Sequence, residues 1–140
     1  MRSTRCVRGG MALLLLCGLT SSAAAQPPEV RISAVAETDA AHSGVTARVA
    51  LEVTLDPGFH VNSDTPLDDF LIPTVLTLNP PDGISLGGVA FPEAILLQQG
   101  GDELAVFEEE FLIGATLSLD AALPPGSYVV PGTLRYQACN

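Results

Sequence analysis

The chain has 140 residues, no lysine, six arginines and 16 acidic residues, for a net charge of −10. Nucleic acids and anionic membrane surfaces recruit clustered cations, so this balance argues against both as partners. Hydrophobic residues make up 47% of the chain, enough for a core, and there is no tryptophan.

The first 25 residues read as an export signal. Arg2, Arg5 and Arg8 give a positive start, residues 11–19 form a short apolar run, and Ala23-Ala24-Ala25 supply small residues before Gln26. That composition and order match a cleaved signal peptide, and the run is too short for a stable membrane anchor. A lipid-modified Cys17 is disfavoured by the bulky Leu16 before it. Cleavage leaves residues 26–140, a length suited to one domain. This part keeps Arg31, Arg48 and Arg135 against all 16 acids, a net charge of −13.

The remainder reads as all-β. Residues 45–55 alternate Val45, Ala47, Val49, Leu51, Val53 and Leu55 with Thr46, Arg48, Ala50, Glu52 and Thr54. Period two is the mark of a strand with one buried face. Residues 111–119 repeat it with Phe111, Ile113, Ala115, Leu117 and Leu119. Shorter strands are expected at 30–36, 74–78, 84–91, 104–107, 128–130 and 133–139. Asp56-Pro57-Gly58, Asn79-Pro80-Pro81-Asp82-Gly83, Gly100-Gly101 and Pro124-Pro125-Gly126 punctuate them. No segment holds a helical period. Many short strands with frequent turns suggest two antiparallel sheets packed as an immunoglobulin-like β-sandwich.

Cys139 is the one cysteine left after cleavage, since Cys6 and Cys17 lie in the signal. An unpaired thiol in an exported protein implies an intermolecular disulfide, a reactive thiol or a partner cysteine elsewhere. In the strand expected at 133–139, Leu134, Tyr136 and Ala138 share one face. Thr133, Arg135, Gln137 and Cys139 share the other, which makes the thiol accessible. Arg135 lies four residues back, roughly 13 Å along a strand, too far to favour the thiolate directly.

His60 admits a metal or general-base role with Asp64, Asp68 and Asp69 nearby. One histidine with scattered carboxylates is a poor transition-metal set, and the spacing of a calcium loop is missing. The plainer reading is that His60 and Asn62 hydrogen-bond to fix a loop. Asp68-Asp69-Phe70 is either a docking edge or a loop with its acids in water and Phe70 tucked into the core. Glu108-Glu109-Glu110 reads as a solvated turn or as protection of an edge strand. His42 reads as part of a solvated turn.

Two stretches resemble a known family. Residues 57–74, PGFHVNSDTPLDDFLIPT, are similar to a segment of the amino-terminal periplasmic domain of the thiol:disulfide interchange protein DsbD and its relatives. Tyr136-Gln137-Ala138-Cys139-Asn140 resembles that family's redox motif. Phe91-Pro92 and Val106-Phe107-Glu108 match weaker landmarks in the expected order. The resemblance implies an immunoglobulin-like sandwich with two cysteines that cycle through a reversible disulfide, and needs no cofactor or metal. It implies a membrane-embedded DsbD-type domain as electron donor. Thioredoxin-like periplasmic proteins, disulfide isomerases or cytochrome c maturation factors, are the implied acceptors. Cys139 matches the first cysteine, Tyr136, Gln137, His60, Asn62, Asp68, Asp69 and Phe70 are expected to support or dock, and the second cysteine is expected beyond Asn140. A shielding loop in some relatives carries an aromatic residue. The corresponding stretch here is read as residues 96–102, which has none. The alternatives are an exported immunoglobulin-like binding module without redox activity, and a stand-alone soluble relative.

Overall fold

A computed structural model describes residues 30–140, all strand, turn and irregular structure without a helix. The export signal expected at 1–25 lies outside the described residues. The ten strands are β1 (Val30–Ala36), β2 (Thr46–Leu55), β3 (His60–Asn62), β4 (Val75–Leu78), β5 (Ile84–Ala90), β6 (Ile95–Gln99), β7 (Asp102–Glu108), β8 (Glu110–Leu119), β9 (Gly132–Arg135) and β10 (Ala138–Cys139).

All pairings are antiparallel. One sheet runs β1-β2-β8-β5, a second β10-β3-β7-β6, and β4 pairs with β9. The two long alternating segments form the centre of the first sheet, with Val53 opposite Phe111 and Leu51 opposite Ile113. Their apolar faces meet Val61, Phe107 and Leu76 from the other sheets in one core. Phe107 anchors it, with ring centroids 4.9 Å from Phe111 and 6.2 Å from Phe91. The all-β expectation therefore holds, with antiparallel sheets closed over a shared apolar layer.

Several expected boundaries move. Residues 128–130 are not a strand. Tyr128 donates its hydroxyl to the Pro124 carbonyl, and Val129 is 79% exposed, so this segment turns between prolines instead of pairing. The strand expected at 133–139 is two. β9 pairs with β4 and β10 pairs with β3, so the chain changes sheets at Tyr136-Gln137. β3 and β6 arise where the sequence shows no clear alternation. β6 and β7 are joined by Gly100-Gly101, with φ of +64° and +100°, the backbone that a two-residue hairpin with both central residues left-handed requires.

The Glu108-Glu109-Glu110 segment protects no edge. β7 lies between β3 and β6, and β8 between β2 and β5. The segment is the corner where the chain passes from one sheet to the other. Glu109 takes a left-handed φ of +53° there and accepts a hydrogen bond from the Leu55 amide at 2.7 Å.

Candidate thiol site

The site is built from two stretches far apart in sequence. Cys139 is directly opposite His60, and Ala138 opposite Val61. On its other side β3 pairs with β7, with His60 opposite Glu108. Neighbouring residues of a strand point to opposite faces. Val61 and Phe107 are in the core, and Ala138 packs on it. Cys139, His60 and Glu108 therefore form one row across three strands on the other face. Cys139 is a free, half-buried thiol on the edge strand β10.

Beside this row, Gln137 ties the two stretches together. Asn62 Nδ2 donates to Gln137 Oε1 at 3.1 Å and to the Ile72 carbonyl at 3.0 Å. The Ile72 amide donates to the same Gln137 oxygen at 3.4 Å. Thr74 closes the loop after β3, donating its hydroxyl to the Asn62 carbonyl at 2.5 Å and its amide to Ser63. The Ser63 side chain accepts from the Thr65 amide. Ser63 and Thr74 are almost fully buried, and their role went unread in sequence. Two short hydroxyl residues bracketing a Pro- and Asp-rich loop are the only signal of it.

Asn62 therefore fixes the loop as expected. His60 does not: its ring has no hydrogen-bond or ion-pair partner among the described residues. The acid opposite it is Glu108, not Asp64, Asp68 or Asp69. No group of three or more metal-ligating side chains occurs among the described residues.

The pinned loop holds Phe70 outward. Phe70 is 82% exposed, so it is not tucked into the core. The loop's ends are fixed by Asn62 and Thr74, while its tip turns through a Leu71 amide to Asp68 carbonyl bond. That turn points the apolar side chain at solvent, with Asp68 and Asp69 exposed beside it. Leu67 and Ile72 are also exposed.

Comparison with protein-family models, with curated proteins and with solved structures finds no match.

The remaining wall of the site comes from the β6–β7 hairpin. Gln99 Nε2 donates to the Asn140 carbonyl at 3.2 Å, tying the stretch read as a shielding loop to the residue after the thiol. A cavity of about 410 Å³ opens there, lined by Phe59, His60, Gln98, Gln99, Glu108 and Asn140 among others. Tyr136 is half-buried against the core and supports β10 from below. Arg135 sits on β9, in a different sheet from Cys139, so it supplies no local cation to the thiol.

Proposed function

We propose that this chain is the amino-terminal, exported relay domain of a DsbD-like thiol:disulfide interchange protein, with an immunoglobulin-like sandwich acting in the periplasm. One observation carries the reading. The two stretches that resemble the family are separate in sequence yet meet at one place, through the Asn62–Gln137 hydrogen bond and the His60–Cys139 pairing. A motif that served only local structure has no need of that meeting. Cys139 lies at an open sheet edge, where a partner's sulfur has an approach.

Thiol–disulfide exchange needs an attacking thiolate and a second thiol to resolve the mixed disulfide. Cys139 supplies one sulfur. The relay needs the other from sequence beyond Asn140 or from the partner. A thioredoxin-like periplasmic protein with a single active-site cysteine, activated as its thionitrobenzoate disulfide, tests this. The expected result is a covalent adduct that forms much faster than with a small peptide thiol and is absent with Cys139→Ser. An adduct that forms no faster than with the peptide thiol rejects the relay.

The exposed Phe70 favours a second reading, an exported interaction module without redox chemistry. That module keeps its partner after Cys139→Ser and loses it after Phe70→Ala.

A further inference from the structure

The row Cys139–His60–Glu108 places a thiol, an imidazole and a carboxylate side by side across β10, β3 and β7. Directly opposed residues on one face have Cβ atoms about 4.5–5.5 Å apart, close enough for side chains to interact. His60 is only 4% exposed, yet its ring has no partner among the described residues. Among the described residues, no buried polar side-chain atom is both fully enclosed and unpartnered. The unpaired ring nitrogens therefore keep some exposure, and His60 lines a cavity with Glu108 and Asn140.

We propose that His60 is the proton acceptor for the Cys139 thiol and that Glu108 is the positioning residue for the His60 ring. This deepens the relay reading and rests on it for the identity of the disulfide attacked. The order of groups, nucleophile, then base, then a group that orients the base, is the general plan of an activated nucleophile. No hydrogen bond joins the thiol to the ring in the structure, and the transfer requires the side chains of Cys139 and His60 to rotate toward each other. Among the described residues, the charged groups that line the cavity with His60 are Glu108 on β7 and Glu109 at the corner, while β6 presents Leu97, Gln98 and Gln99, which carry no charge.

The Cys139 proton passes to a ring nitrogen of His60, leaving thiolate and imidazolium. The thiolate attacks one sulfur of a partner's disulfide. A new S–S bond forms to Cys139, the partner's S–S bond breaks, and its departing sulfur takes the proton back from the imidazolium. Cys139 is oxidised and the departing sulfur is reduced.

Alkylation by iodoacetamide across pH tests the pair without any partner. An ordinary thiol is a few per cent ionised at neutral pH, so a working acceptor raises the neutral-pH rate on the order of ten-fold over a peptide thiol. His60→Gln is expected to remove that advantage and move the profile to higher pH, and Glu108→Gln to do so in part. Because His60 is buried, its variant can fail to fold, and a second measurement uses the unaltered ring. The His60 Cε1 chemical shift is titrated in the natural chain and in Cys139→Ser, with His42 as internal reference. A displaced His60 midpoint supports the pair. Superimposed His60 curves overturn it, as does an alkylation profile identical to that of the peptide thiol. A coupled pair together with failure to form the partner adduct sinks the relay reading and leaves the thiol–imidazole pair standing.

Discussion

At the residue scale, Asn62 ties two distant segments together. It is 3% exposed and serves both the Ile72 carbonyl and the Gln137 side chain. Asn62→Leu keeps the branched shape but removes the donor, leaving the Ile72 carbonyl without its Asn62 bond and the Gln137 oxygen with only the Ile72 amide. The expected loss is about 1–3 kcal/mol, read as a lower urea midpoint. Gln137→Ala is expected to cost less, because Asn62 keeps its bond to Ile72. Glu109 offers the opposite case. A non-glycine residue at φ +53° carries about 1–2 kcal/mol of strain, and glycine gives back about 0.5–1 kcal/mol in backbone entropy. Glu109→Gly is therefore expected to be neutral to modestly stabilising, and a clear loss in the same urea assay defeats that account. The thiol and its flanking motif were legible in the sequence because both are local. The His60–Cys139 pairing was not, because register between residues 79 positions apart leaves no trace in local alternation.

Elements were legible where one face is buried along a whole strand, as in β2 and β8, whose inward residues Val53, Leu55, Phe111 and Ile113 recur at period two. They were not legible where strands are short or change sheets. Residues 133–139 keep Leu134, Tyr136 and Ala138 against the core throughout, so the alternation is real. It survives a change of partner from β4 to β3, because both sheets pack on the same apolar layer. Hydrophobic alternation reports the buried face and says nothing of which strand supplies the hydrogen bonds. β3 escaped notice because His60 and Asn62 flank a single core valine, and polar residues buried on both sides erase the pattern. The β6–β7 hairpin depends on its glycines in a testable way. Gly101 has φ +100° and Gly100 φ +64°, and a β-branched residue there is strained by about 1–2 kcal/mol. Gly101→Val is expected to cost that much in urea unfolding. It also loosens the Gln99–Asn140 tie, which hydrogen exchange on β6 amides reads independently.

For the whole molecule the governing quantity is charge. Residues 26–140 carry −13, and the two ion pairs described are both exposed, Arg48–Glu37 at 2.7 Å and Arg31–Asp56 at 3.9 Å. Exposed pairs contribute little, whereas thirteen excess negative charges on a small fold repel one another in the compact state. The two effects respond oppositely to salt. Raising ionic strength from about 0.01 M to about 0.15 M shortens the screening length from roughly 30 Å to roughly 8 Å. Repulsion summed over the surface is therefore screened more than a pair in direct contact, and the urea midpoint is expected to rise with sodium chloride. Acid acts through the pair. The hydrogen bond from Arg48 holds the Glu37 carboxyl below its usual value of 4.5, desolvation opposes it, and the charge of Arg48 adds a smaller lowering. Glu37 is depressed in the folded state, so its contribution is complete above pH 4.5 and fades as pH falls through the lower folded value. Glu37→Gln is therefore expected to lower the midpoint at neutral pH and to match the natural chain at the acid end. A midpoint that falls as salt is added would instead show that the ion pairs outweigh the repulsion, and the acidity of this surface would then need a different physical account.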